Sequence, residues 1–199
     1  MGLLTGTSVY LAGAIDFHKD PRSWRRNITN DLLNGLGIKV YDPLVKPSWL
    51  GEQSFLEPSK FSDAIKDAVN GKFSSENDSI FEHGIKQVRR IDLRFAHDCN
   101  FMICSVPKVF TSGTFEELSI AVNAGKPVLF HMPDGVVSTW LPSQVSDTLY
   151  DYVGCHFGDW PTLYDYIRKV DLGIIGVDNF KWIFLSYHYD NKVKRELNK

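Results

Sequence analysis

Gly113-Thr114-Phe115-Glu116-Glu117-Leu118 places two adjacent carboxylates at the start of an apolar helical pattern. A helix that begins there offers free backbone N–H groups and the positive end of its dipole. It suits a phosphate, or a sugar oxygen that bears charge, with Gly113 and Thr114 at the contact. The spacing Thr114-x-x-Glu117 is also that of a capping box, in which both side chains only satisfy the helix start. Glu116 beside it reads as a solvated first-turn acid favoured by the dipole. Asp92 lies on another helical stretch, where by itself it reads as an ion-pair partner of Arg89 or Arg90 on a solvated face. His18, Lys19 and Arg22 make a basic loop, which is an anion grip or ordinary solvated charge. Asp16 in that loop is a hydroxyl ligand or a loop cap. Ser138 reads as a turn serine.

Other chemistries lack their residues. The six histidines show no HExxH or clustered spacing, and no CxxC occurs, so no metal is expected. There is no GxGxxG, no phosphate-binding P-loop and no G-x-S-x-G elbow.

These residues need a scaffold. Short apolar runs alternate with helical patterns. Ser8 to Ala12 is a strand ending at Gly13. Pro21 to Leu33 is a helix with Asp20 as its N-cap, and Ile38 to Tyr41 is a second strand. Ser79 to His97 is a long helix, Phe101 to Cys104 a third strand and Thr114 to Asn123 a helix. Pro127 to His131 is a fourth strand, Tyr152 to Cys155 a fifth, and Pro161 to Val170 the last helix. Such alternation predicts an α/β fold. It is a doubly wound, flavodoxin-like or Rossmann-like parallel sheet of about five strands with helices on both faces. Residues 1–171 form one domain, with an irregular insertion at about 44–75. That stretch is either a binding loop or a plain surface insertion. Residues 172–199 are an aromatic and basic C-terminal extension that packs on the body or on a second subunit. In such a sheet ligands bind beyond the carboxyl ends of the strands. The loops at 13–20, 42–44, 105–113 and 132–139 leave those ends.

Composition bounds the function. With 199 residues, 43% of them hydrophobic and 23% charged, the chain can bury a full core. A net charge of -2 argues against a mostly electrostatic nucleic-acid binder. Three cysteines in irregular spacing fit a reducing compartment. No apolar run reaches the length of a membrane span, so a soluble cytoplasmic protein without a membrane partner is expected.

Tyr10-Leu11-Ala12-Gly13-Ala14-Ile15 resembles the YLAGPI segment that opens nucleoside 2-deoxyribosyltransferases and the related deoxynucleoside 5′-monophosphate N-glycosidases. Asp92-Leu93 ahead of the third strand resembles that family's helix with its Asp. Gly113 to Leu118, Ala121 and Gly125-Lys126-Pro127-Val128 resemble its G-x-x-x-E-L segment, alanine and following strand. The chain departs from the family at Asn100, where a second Asp stands, and at Thr111, where transferases often carry an acid. Ser112 to Leu118 is also similar to the GGxGTxEE segment of cytokinin-activating phosphoribohydrolases.

The resemblance implies cleavage of the N-glycosidic bond of a nucleoside or nucleotide. Glu117 would be the nucleophile that forms a glycosyl-enzyme. Asp92 would be the sugar- and base-side acid, and Tyr10 the hydroxyl that orients Glu117. Gly13, Asp16, His18, Lys19, Arg22, Gly113, Thr114 and Ser138 would bind substrate. No metal or organic cofactor is implied, and active sites completed between subunits imply a homo-oligomer. Transfer to a second base is the leading reading. Hydrolysis of a 5′-monophosphate and a non-catalytic nucleotide-binding module are the alternatives.

Overall fold

The computed structural model describes residues 2–15, 20–45, 66–72, 86–106, 111–133 and 156–175, with residues 63, 74, 75, 182, 184 and 185. One five-stranded sheet contains β1 (Ser8–Gly13), β2 (Lys39–Tyr41), β3 (Phe101–Ser105), β4 (Val128–His131) and β5 (His156–Phe157). The order is β2-β1-β3-β4-β5 and all pairs are parallel, with Tyr10 opposite Tyr41 and Met102, and Gly13 opposite Ser105. Helix α1 (Ser23–Ile28) follows β1, α2 (Lys86–Asp98) leads into β3, α3 (Ser112–Asn123) joins β3 to β4, and α4 (Trp160–Asp171) follows β5. This is the doubly wound flavodoxin-like order, whose direction reverses between β1 and β3.

Burial explains the arrangement. Every residue of β1 is buried, as a central parallel strand covered on both faces must be. Val9 and Leu11 face Ile28 of α1 and Leu163 and Ile167 of α4. Tyr10 and Ala12 face Ala96 of α2 and Leu118 and Ala121 of α3. Each large apolar side chain so buried is worth about 1.5–3 kcal/mol.

The far end of the sheet is tied by Asn100. Its Oδ1 accepts from Ser8 N at 2.8 Å and from Ser8 Oγ at 3.0 Å, and its own N–H reaches the Ser8 carbonyl at 2.9 Å. Asn100 therefore serves the amino ends of β1 and β3, opposite the carboxyl edge of the strands.

Some boundaries differ from the sequence expectations. Asp20 is not the N-cap of the first helix: it accepts from Arg22 N and Ser23 N at 3.0 and 3.1 Å in the preceding turn, Arg22 stands at the N-cap, and regular helix begins at Ser23. After Ile28 the helix widens, with Asn34 N–H reaching the Thr29 carbonyl at 2.9 Å. The third helix begins at Ser112 rather than Thr114. The strand at the sheet edge is His156–Phe157. The expected strand at 152–155, residues 79–85 of the expected long helix and most of the 44–75 insertion lie outside the described residues. Trp182 packs on the body, 1% exposed, with its ring 5.3 Å from Phe101 and its Nε1 donating to Tyr166 Oη at 3.0 Å.

Candidate active site

Three elements bring the expected catalytic residues to one face of the sheet. β1 alternates sides, so Tyr10 points towards α2 and α3 beside Ala12, whose small side chain leaves room. On α2, Asp92 and Ala96 are four residues apart and share the buried face. Asp92 is only 7% exposed, which overturns the reading of it as a solvated partner of Arg89. On α3, Leu118 and Ala121 anchor the helix to the sheet, and Glu117 sits half-buried beside them.

The Tyr10 hydroxyl donates to Glu117 Oε1 at 2.8 Å. Burial pushes the Tyr10 phenol well above its ordinary value of 10.0, and the negative charges of Glu117 and Asp92 push it further. The phenol thus stays protonated and acts as a donor, holding the plane of the Glu117 carboxylate.

Thr114 and Glu117 do not form the capping box. The N-cap of α3 is Thr111, in extended conformation (φ -88°, ψ 154°). Its Oγ1 faces the Thr114 N–H at 3.5 Å and the Thr114 hydroxyl at 2.9 Å. Thr111 is thus the cap, and Glu117 is turned to Tyr10 instead of the helix start. Glu116 is bound by Arg89 of α2, through Nε at 2.8 Å and through Nη2, across the α2–α3 junction. The pair is exposed and forms part of the rim.

Beyond Tyr10, β1 reaches the point where the sheet order reverses. Gly13 is required there by packing: a Cβ would lie 2.8 Å from the Ser105 carbonyl and 3.1 Å from the Trp24 ring. At Gly113 a Cβ would meet nothing within 4 Å, so the packing makes no such demand. Thr114 is buried at 3% and Arg22 is exposed at the start of α1. Asp16, His18, Lys19 and Ser138 lie outside the described residues.

Several residues near this edge were not singled out from sequence. Arg25 is fully buried. Its signal was available, because it stands three and seven residues before the buried Ile28 and Leu32. Ser105 Oγ and His131 Nδ1 are 3.1 Å apart at the ends of β3 and β4. Trp160 stacks on His131 at 3.8 Å and on Trp24 at 5.4 Å. Burial lowers His131 to about 4, so its ring is neutral at physiological pH. Cys99 and Cys104 are buried free thiols, and burial pushes Cys99 up to about 12 and Cys104 above its ordinary value. Neither is a thiolate nucleophile. Among the described residues no three His, Cys, Asp or Glu side chains group as a metal site. None of the described helices is long and apolar enough to cross a membrane.

No protein-family model matches the chain, and comparison with curated proteins finds no match. Among solved structures, the chain is similar to the 2-deoxyribosyltransferase of the psychrotolerant bacterium Bacillus psychrosaccharolyticus, which is described as a biocatalyst for the synthesis of antiviral and antitumoral nucleosides. Identity is 18%, the TM-score is 0.50, and the match covers 83% of this chain and 96% of that one. The likeness spans nearly all of the neighbour and is one of fold: this chain has the α/β architecture on which that transferase is built.

Proposed function

We propose that the chain cleaves the N-glycosidic bond of a (deoxy)nucleoside or nucleotide and transfers the sugar to a second base. The observation that carries this reading is the Tyr10–Glu117 hydrogen bond of 2.8 Å, made by a Glu that its own helix cap does not use. A glycosidic carbon loses its base through a transition state with positive charge on the sugar, and an oriented carboxylate stabilises that charge or attacks it. A Glu117 oxygen bonds to C1′ while the C1′–N bond breaks. The electron pair leaves with the base, which takes a proton from Asp92. A nitrogen of the second base then attacks C1′. The ester C–O bond breaks, the carboxylate is restored, and the proton of the incoming base returns to Asp92. The loop after β1, with Asp16, Lys19 and Arg22, meets the sugar and any 5′-phosphate in this reading.

The test is incubation with a panel of nucleosides and their 5′-monophosphates, with and without a free base, followed by chromatography and intact-protein mass spectrometry. Base exchange is expected, with a protein adduct of one sugar that Glu117→Gln lacks. Release of free sugar and base without exchange assigns the hydrolase instead. No reaction across the panel overturns the enzymatic reading.

A further inference from the structure

A residue outside the site holds the end of the strand that carries Tyr10. β2 ends opposite Tyr10, and β1 runs on alone on that side through Leu11, Ala12 and Gly13. Arg25 of α1, from the layer on the other face of the sheet, fills the place of the missing strand. Its Nε donates to the Leu11 carbonyl at 3.3 Å and its Nη2 to the Gly13 carbonyl at 2.8 Å. Its Nη1 donates to the Pro21 carbonyl, so one guanidinium ties the two ends of the 14–20 loop together. Asp42 Oδ1, at the end of β2, lies 3.6 Å from Nε, and the Trp24 ring lies under the guanidinium at 4.4 Å.

We propose that Arg25 is a positioning residue for the strand end that carries Tyr10 and for the chain that follows it, and that its buried charge is coupled to the Glu117 carboxylate. A fully buried cation is costly unless its charge is answered. Asp42 and Glu117 both answer it, so the coupling between Arg25 and Glu117 runs both ways. The planar fork that spans the Gly13 and Pro21 carbonyls is a geometry that Lys cannot reproduce, although Lys keeps the charge. Charge and geometry can therefore be separated by substitution.

This inference rests on the glycosyl-transfer reading for its kinetic arm only. The experiment is a carbon NMR titration of protein labelled at the glutamate carboxyl, with Glu117→Gln to assign the resonance. It is run on wild type, Arg25→Lys, Arg25→Gln and Asp42→Asn. The Glu117 midpoint is expected to stay in place in Arg25→Lys and to rise in Arg25→Gln. An unmoved midpoint in folded Arg25→Gln overturns the proposal. Where Arg25→Gln does not fold, Asp42→Asn decides, because its Oδ1 can still accept from Leu44 N while the counter-charge is gone. A lowered Glu117 midpoint then supports the proposal and an unmoved one overturns it. In the kinetic arm, Arg25→Lys should lose about tenfold in kcat per folded molecule with KM changed less than about threefold. Wild-type kcat in Arg25→Lys overturns the positioning role. A wild-type protein that turns over no nucleoside removes the transferase reading and leaves the titration to judge Arg25 by itself.

Discussion

The hydroxyls of Thr111 and Thr114 lie 2.9 Å apart at the head of α3, and this contact releases Glu117 from the helix cap. A helix start needs one side-chain acceptor in extended conformation, and Thr111 provides it. Glu117 can then be substituted without cost to the cap. Glu117→Gln should fold with a stability within about 1 kcal/mol of wild type, because the amide oxygen still accepts from Tyr10. Its kcat for nucleoside cleavage should fall by about three orders of magnitude or more. Glu116→Gln is the control. Adjacent helical residues point about 100° apart, and an exposed ion pair such as Arg89–Glu116 is worth about 0–1 kcal/mol. Equal losses from both variants, measured as initial rates on folded protein, would place the nucleophile elsewhere.

Thr111→Ala should cost about 0.5–2 kcal/mol in urea unfolding, the usual loss of an N-cap. Turnover per folded molecule should stay within about twofold, because Glu117 is held by Tyr10 and not by the cap. A deep fall in kcat with unchanged stability would show that Thr111 touches the substrate.

Tyr10→Phe removes a hydrogen bond to a carboxylate, a contact worth about 1.5–3 kcal/mol, so kcat should fall by about 10- to 100-fold with KM little changed. The same variant has a signature in alkali. The folded phenol titrates above 10.0, so the native state keeps its proton where the unfolded chain has lost it. The stability that this contributes is present below pH 10 and is lost as pH rises through the folded value. Tyr10→Phe should therefore flatten the alkaline fall in unfolding free energy.

His131 gives the opposite sign. Its folded value is about 4 against an ordinary 6.5, so the unfolded chain takes up a proton that the native ring refuses. Stability is lost as pH falls from 6.5 through 4, by about 3 kcal/mol in total. His131→Phe keeps a ring against Trp160 and removes the titration. Its urea midpoint should depend less steeply on pH than that of wild type between about pH 7 and pH 4.5. Parallel curves would show that the His131 ring does not carry the acid sensitivity.

The sheet was legible in the sequence because β1, β3 and β4 are continuous apolar runs, as strands buried on both faces must be. Tyr10, Asp92 and Glu117 were legible only through resemblance, and the structure brings Tyr10 and Glu117 into contact. The helix start was misread for a physical reason. Thr111-x-x-Thr114 and Thr114-x-x-Glu117 are overlapping signals, and the choice between them is made by burial of Thr114 at 3%, which no local pattern encodes. Arg25 was passed over because a charge in a helix is normally solvated. Its partners are backbone carbonyls, which leave no trace in side-chain spacing.

The strand that carries Tyr10 is made before the strands on either side of it. Its entry is fastened by Asn100, 92 residues beyond Ser8, and the segment before it by Asp171, whose Oδ1 takes the Leu4 N–H across 167 residues. Contacts so distant along the chain impose a closure cost before they repay it, which slows folding. During synthesis SVYLAG therefore waits as an apolar ribbon with an open edge, a state prone to pairing with other chains. The order of synthesis thus brings the Tyr10 hydroxyl beside Glu117 only once α3 has been made, 107 residues further along the chain.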